Sequence, residues 1–178
     1  MASAVPKAYQ YNNWALAPDG LLKDVRHMKG KDQKDDSRWS KASFCVYGDT
    51  LQPEEINRDL GFQATNSGLK GERQSKFPRA RPLRTSIWIL DSPLDDHLPL
   101  QDHLKWLIDA LEPKLDVVRG TASQYDVRFF CGYSSEHGQG GCTFDVALLE
   151  RIANLGVPLV LDLHPPGPIA LDPNQELT

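Results

Sequence analysis

Six basic side chains within fifteen residues are the strongest chemical signal in this chain. They are Lys70, Arg73, Lys76, Arg79, Arg81 and Arg84, and Glu72 is the only acidic residue among them. Arginine presents a planar fork that pairs with phosphate or carboxylate, and Phe77 could stack on a base or ring. The cluster therefore predicts a site for a phosphate-bearing ligand, for RNA or for an acidic protein surface. The alternative is a solvated loop whose charge offsets the acidic segment that follows it.

Carboxylates form a second candidate set, close behind the basic one. Asp95, Asp96 and Asp102 lie near His97 and His103 in the sequence. A carboxylate beside an imidazole could act as a general acid–base pair if both lined a cleft. The same residues flank the expected start of a helix, where the helix dipole favours acidic groups. We expect capping and solvation to explain them, and we expect their charge to attract a basic partner.

The spacing of cysteine and histidine gives no recognised metal site. Cys131, His137 and Cys142 follow a C-x5-H-x4-C spacing, which is not a known zinc pattern, and a fourth ligand is missing. We therefore predict no metal, no other cofactor and no catalytic residue. Cys45 and Cys131 occupy matching positions in two expected strands. They are predicted to be buried thiols, or a disulfide if their Cα atoms lie within about 7 Å.

Charge is distributed unevenly along the 178 residues. The net charge is -4, but residues 69–84 carry +5, whereas residues 85–112 and residues 133–178 each carry -5. The acidic remainder would repel a long polyanion, so nucleic acid is not an expected partner. The N-terminus has no apolar run that resembles a signal peptide or a membrane span, which favours a cytoplasmic protein.

The elements that must position these residues follow a pattern that occurs twice. A strand around Phe44-Cys45-Val46-Tyr47 is followed by a helix and Gly61, and a strand around Phe129-Phe130-Cys131 is followed by a helix and Gly156. Pro53 suits the first turn of the first helix and Asp145 suits the N-cap of the second. Both glycines suit helix C-termini. A unit that cannot bury its apolar face alone gains a shared core when two copies pack together.

The segment between the two units supplies the remaining elements. Residues 62–83 are predicted to form a long irregular loop. Residues 84–90 alternate with apolar side chains on both faces, which predicts a central strand covered on both sides. A helix is predicted from about Pro99, on an apolar stripe of Leu100, Leu104, Leu107, Ile108 and Leu111.

Together these elements predict an α+β domain over residues 42–166. Its expected architecture is a four-stranded, mostly antiparallel sheet with helices on one face, built from two βαβ halves as in a ferredoxin-like sandwich with an inserted helix. Residues 1–41 are predicted to be a flexible N-terminal extension and residues 167–178 a C-terminal tail.

The order of several short motifs resembles a known bacterial family. Ser43-Phe44-Cys45-Val46-Tyr47-Gly48, Leu51-Gln52-Pro53-Glu54-Glu55-Ile56, Ile87-Trp88-Ile89-Leu90 and Leu111-Glu112-Pro113 occur in that order, and Leu155-Gly156 precedes a closing apolar strand. The chain in this respect resembles domain-of-unknown-function family 4279 over roughly residues 42–165. The resemblance implies an α+β bacterial domain of unassigned role, with no catalytic residues to carry over.

These observations favour a non-enzymatic protein-binding domain. Its most concrete form is a bacterial immunity, or antitoxin-like, protein that neutralises a basic toxin domain. The alternative is a regulatory domain that binds a small molecule or nucleotide through the basic loop 69–84. The oligomeric state is not predicted.

Overall fold

The computed structural model describes residues 38–74, 81–135 and 141–164. Its strands are β1 (Arg38–Gly48), β2 (Asn66–Gly68), β3 (Ser86–Asp91), β4 (Asp126–Ser135) and β5 (Leu159–His164). Its helices are α1 (Pro53–Leu60), α2 (Leu100–Leu111), α3 (Leu115–Gln124) and α4 (Val146–Leu155), and a 3-10 turn at Glu112–Lys114 joins α2 to α3. The first strand begins at Arg38, so it includes the last four residues of the predicted N-terminal extension 1–41.

The strands form one mixed sheet in the order β2-β3-β1-β4-β5. The pairs β2–β3, β3–β1 and β1–β4 are antiparallel, whereas β4–β5 is parallel. The α+β class and a mostly antiparallel sheet are thus confirmed, but the prediction of four strands is one strand short. It missed β2, because Asn66-Ser67-Gly68 has low intrinsic strand propensity.

The repeated unit exists, although its two copies are assembled differently. In both copies the strand before the helix and the strand after it run in the same direction, since β1 and β2 are each antiparallel to β3 and β4 is parallel to β5. Gly61 ends α1 and Gly156 ends α4, at φ of 78° and 71° respectively, so the predicted glycine C-caps are confirmed. In the first copy β3 lies between β1 and β2, whereas β4 and β5 are direct neighbours.

The main core lies between one face of the sheet and the helices. Even-numbered residues of β1 from Ser40 to Val46 and alternate residues of β3 and β4 enter it. The helices contribute the stripe predicted for α2 together with one side of α4. These buried side chains include Ala42, Phe44, Val46, Trp88, Leu90, Phe129, Leu104, Leu107, Ile108, Leu148, Ile152 and Leu155. Phe44 contacts both Trp88 and Phe129 edge to face, with ring centroids 6.2 Å and 5.5 Å away.

A buried amide joins α1 to this core. The side-chain oxygen of Asn57 accepts hydrogen bonds from the indole Nε1 of Trp88 at 2.8 Å and from the backbone N–H of Ala64 at 3.0 Å. Its amide nitrogen donates to Glu54 at 3.1 Å. Asn57 therefore satisfies a buried donor of β3 and also fixes the chain just before β2.

A buried imidazole, that of His103, lies near the start of α2. His103 is fully buried, and its Nδ1 lies 3.1 Å from the hydroxyl of Ser92. Burial lowers the pKa of His103, while Asp96, a backbone hydrogen bond with Asp95 and the Asp95 charge act to raise it and the Lys41 charge acts to lower it further. The folded state consequently favours the neutral ring.

Removal of the Asn57 amide is expected to destabilise the fold. In Asn57→Ala, the Trp88 indole and the Ala64 amide lose their acceptor, and each unsatisfied buried donor costs about 1–3 kcal/mol. We expect the free energy of unfolding in urea to fall by about 2–4 kcal/mol. Glu54→Ala is the matched control on the same helix, because it removes only the exposed partner of the amide nitrogen. Equal losses in the two variants would contradict this role for Asn57.

Acid is expected to destabilise the protein through His103. Its pKa in the folded state is below the ordinary value, so below about pH 6.5 the unfolded chain binds a proton that the folded chain does not. The free energy of unfolding should be unaffected by this group above that pH and should fall progressively below it. Urea titrations at pH 8.0 and 5.0 should show a smaller acid loss in His103→Gln than in the wild-type protein. Identical losses would show that another group causes the acid sensitivity.

Candidate functional site

The sheet face opposite the helices carries the candidate site. Side chains alternate across a strand, so the odd-numbered residues of β1 and β3 and the even-numbered residues of β4 point away from the core. We call this surface the helix-free face. Its central residues are Lys41, Ser43, Cys45, Tyr47, Ile87, Ile89, Asp91, Arg128 and Phe130, aligned by the β1–β3 and β1–β4 registers.

A depression of about 340 Å³ opens at the centre of this face. Cys45, Ile89 and Phe130 provide its apolar surface, and Ser43, Asp91 and Asn66 are among its polar lining residues. Phe130 is 36% exposed and is among the few large apolar side chains that the described ranges leave at the surface. We call this feature the central depression. Its volume lies at the small end of the range for ligand pockets, and it is open to solvent.

Hydrogen bonds hold one wall of the central depression. The hydroxyl of Thr65 donates to the carbonyl of Ile89 and accepts from the backbone N–H of Asp91, both at 3.0 Å. The backbone N–H of Thr65 also donates to the Ile89 carbonyl at 2.8 Å. Asn66 accepts from Gln74 at 2.9 Å. The chain between α1 and β2 is thereby fixed against β3, and it forms a rigid side to the depression.

A largely buried ion pair lies at the next position along β1 and β3. The Asp91 carboxylate accepts a hydrogen bond from Ser43 at 2.6 Å, and the Lys41 ammonium lies 3.8 Å from it. The Asp91 side chain is only 13% exposed. Serine, carboxylate and ammonium groups therefore present a polar rim beside the apolar centre.

The thiol and phenol on this face are poor nucleophiles at neutral pH. Burial raises the pKa of Cys45 to about 11, although a hydrogen bond with Tyr47 acts against that shift. Burial likewise raises the pKa of Tyr47 above its ordinary value. The Arg128 guanidinium lies over the Tyr47 ring, 5.2 Å from its centroid, and pairs with Asp126. Neither the thiol nor the phenol is therefore suited to nucleophilic chemistry at neutral pH.

An aromatic side chain lies near the other end of the same face. The ring of Trp39 covers Gly132 so closely that a Cβ at position 132 would lie 2.8 Å from it. Trp39 also meets the ring of His164 edge to face at 6.2 Å, and His164 lies 3.0 Å from the Asp162 carboxylate. Trp39 and Arg128 therefore flank the central depression with residue types that are enriched at protein interfaces.

The predicted basic cluster lies elsewhere, at the start of β3. Lys70 pairs with Asp49, and hydrogen bonds from Lys70 and Thr85 lower the pKa of that carboxylate. The two ends of the loop are joined by backbone hydrogen bonds, from Gly71 to Leu83 at 2.9 Å and from Leu83 to Glu72 at 2.8 Å. Arg73, Arg81 and Arg84 are exposed around this junction, while Lys76 and Arg79 lie outside the described residues.

The predicted acidic set lies at the opposite end of β3. Asp95 accepts from the backbone of His97 at 3.1 Å, and the Asp96 carbonyl accepts from Ser40 at 2.7 Å. Asp102 occupies the first turn of α2, as the dipole argument predicted. The structure therefore does not bring the basic and acidic sets together, since β3 separates them.

The cysteine alternatives are resolved by the alternation of the strands. Cys45 lies on the helix-free face and Cys131 lies in the core on the other face, and both are free thiols. Burial raises the pKa of Cys131 to about 12. In the described ranges, no group of three or more His, Cys, Asp or Glu side chains could hold a metal ion, and His137 lies outside those ranges. No helix in the described part of the chain is both long and apolar enough to cross a bilayer.

Sequence reasoning missed the helix-free face. The apolar residues on both sides of β3 were interpreted as a strand covered by two layers. Ile87 and Ile89 instead lie on the helix-free side, where β1, β2 and β4 are the neighbours that the structure describes. No signal in the sequence places Ser43 opposite Asp91, so the face could not be located before the strand registers were known.

Comparisons with known proteins identify a family to which no function is assigned. No curated protein and no solved structure matches the chain. A family model described as "Domain of unknown function (DUF4279)" matches residues 37–166, which spans every strand and helix described above. The chain belongs to the DUF4279 family.

Proposed function

We propose that this protein is a non-enzymatic binding domain that recognises a partner polypeptide through its helix-free face. The central depression carries this proposal, since it combines an apolar centre with a hydrogen-bonding rim on a sheet face that no described helix covers. Protein interfaces have the same plan, with apolar and aromatic groups inside and polar groups around them. Phe130 and Ile89 are the expected central contacts.

The rigidity of the face supports a binding role. β1 is paired with a strand on each side, and Thr65 is bonded to β3 through both its side chain and its backbone. A pre-organised surface loses little conformational entropy on association. The Ser43–Asp91 hydrogen bond and the Lys41 contact also place the polar groups of the rim before a partner arrives.

The specific version that we propose is bacterial immunity, in which the partner is a toxin domain. Residues 85–112 contain six acidic residues against the single Lys105. Asp95, Asp96 and Asp102 follow the end of β3 at which Asp91 joins the helix-free face. This location would steer a basic toxin toward the face and raise its association rate, with a strong dependence on salt.

A substitution at Phe130 tests directly whether the helix-free face binds the partner. Phe130→Asp should weaken binding of the toxin encoded beside this protein at least tenfold by calorimetry, and should abolish growth rescue when the two are co-expressed, because it places a charge at an apolar contact. Leu69→Asp is a matched control, since Leu69 is 37% exposed against 36% for Phe130 and lies beyond β2.

Two results would contradict the proposal. One is unchanged toxin binding in a folded Phe130→Asp protein. The other is a neighbouring gene product that is not toxic and does not form a complex of fixed stoichiometry with the wild-type protein. Circular dichroism on both aspartate variants separates a lost contact from a lost fold.

A second candidate function is a regulatory domain that binds a phosphorylated small molecule at the basic loop. The backbone pairing of Leu83 with Gly71 and Glu72 supports it, because it holds the two arginine-bearing ends of the loop side by side. A guanidinium group can bind phosphate through two parallel hydrogen bonds.

Neutralising the loop is expected to remove any stabilisation by phosphorylated compounds. A ligand at a hundredfold its Kd adds about 2.7 kcal/mol to the free energy of unfolding. That raises the Tm by roughly 5–10 °C for a chain of this size. The shift should be absent in the triple Arg73→Gln, Arg81→Gln, Arg84→Gln variant and kept in Arg58→Gln, which changes an exposed arginine on α1. Equal shifts in wild-type and triple-variant protein would remove this candidate.

A further inference from the structure

The outer edge of β5, the last strand in the described sheet, presents an ordered row of backbone donors and acceptors. Phe129 donates its N–H to the Pro158 carbonyl at 2.9 Å, and Phe129 is in parallel register with Leu159. In a parallel ladder with this register, Val160 and Asp162 direct their backbone groups toward β4. The N–H and C=O groups of Leu159, Leu161 and Leu163 therefore point the other way, where the structure describes no neighbouring strand.

Four of the six side chains of β5 are apolar, and the other two are Asp162 and His164. Six large apolar side chains are exposed in the described ranges, and four of them belong to α4 and β5: Val146, Leu149, Leu161 and Leu163. Leu161 is 44% exposed and Leu163 is 63% exposed. A long apolar edge strand is ordinarily protected by charge, proline or a covering segment, because it is a template for pairing with another chain.

Helix α4 extends the apolar edge into the helix layer. Arg151 bonds to Glu112 and Asp109 on the α2 side, and Asn154 bonds to Arg119 of α3. Leu148, Ile152 and Leu155 face the core. At about 100° per residue, Leu149 then lies on the side of α4 that faces away from α2 and α3, and Val146 points away from the core with 71% of its surface exposed. Both layers thus expose apolar groups on one side of the domain.

We propose that this side is a two-fold interface at which β5 pairs antiparallel with β5 of a second copy of this chain. Centring the register on Leu161 places Leu161 opposite its own copy and Leu159 opposite Leu163. All three outward-facing residues of each strand then meet as hydrogen-bonded pairs. The leucines also form a continuous cross-strand row, which is self-complementary as a two-fold axis requires.

Neighbouring registers are less favourable. A register centred on Asp162 places two aspartates directly opposite each other, where like charges are destabilising. A register centred on Val160 moves Leu163 opposite Val157, beyond the start of β5 and past Pro158. The Leu161 register instead sets Asp162 opposite Val160, and Asp162 keeps its contact with His164 on the other face.

Leu161→Pro tests the backbone pairing. The backbone N–H of Leu161 points away from β4. A proline at this position therefore removes no hydrogen bond to β4, but it prevents a second strand from pairing at the outer edge of β5. In sedimentation equilibrium of the full chain, we expect the wild-type protein at twice the monomer mass and Leu161→Pro at the monomer mass. Leu69→Ser, which removes an exposed apolar group beyond β2 at the opposite edge of the sheet, should remain dimeric. A monomeric wild-type protein, including one whose edge its own C-terminal residues cover, overturns the proposal.

A cysteine scan tests the register independently of stability. Residues in a hydrogen-bonded antiparallel pair have Cα atoms about 5.5 Å apart, which is within disulfide range. In a Cys142→Ser background, Leu161→Cys should form a covalent dimer on mild oxidation, whereas Leu163→Cys should not, because residue 163 faces residue 159 of its copy. Equal cross-linking of the two variants, or cross-linking of Leu163→Cys alone, would overturn the Leu161-centred register.

Discussion

The hydrogen bonds of one buried side chain connect the core to the candidate site. The Asn57 oxygen accepts from the Trp88 indole in the core and from the Ala64 amide at the exit of α1. The next two residues, Thr65 and Asn66, line the central depression. The direction in which the chain leaves α1 is therefore fixed by a core tryptophan, and the wall of the depression depends on an interaction made on the other face of the sheet. The short strand β2 depends on these Asn57 hydrogen bonds, because three residues with low strand propensity contribute few contacts of their own.

The sequence predicted those parts of the fold that depend on local chemistry. Gly61, Gly156, Pro53 and Asp145 specify helix ends through their own backbone preferences, and each occupies its predicted place. The apolar stripe of α2 was likewise readable from spacing alone. The features of the fold that depend on contacts between distant residues could not be predicted from the sequence. Nothing near Asn66 indicates that it pairs with Ile89, and the alternation of β3 shows that both its faces are apolar without showing what covers each one. The helix-free face was invisible for that reason.

Charge counted along the chain overstates the electrostatic asymmetry of the folded domain. Two of the six acidic residues in residues 85–112, Asp109 and Glu112, bond to Arg151 from a distant helix. These bonds lower the pKa of Glu112 and raise that of Arg151. A third, Asp91, lies beside Lys41. The other three acidic residues of the segment, Asp95, Asp96 and Asp102, lie next to one end of the helix-free face. A long-range field from this small group is screened within about 8 Å at physiological salt, so it can guide the last part of an encounter more than its beginning.

Pairing of two β5 strands would also determine how the central depression is presented. Antiparallel pairing of identical edge strands keeps the same face of both sheets on the same side, so the two depressions would open on one continuous surface. β1 and its copy would be separated by five strand spacings, roughly 24 Å at about 4.8 Å per spacing. A partner with two equivalent binding segments at that separation would bind both copies, and the second contact would form at a high effective concentration. Loss of the β5 pairing would then weaken such a partner without altering any residue of the depression, whereas a partner with one segment would bind monomer and dimer equally well at each site.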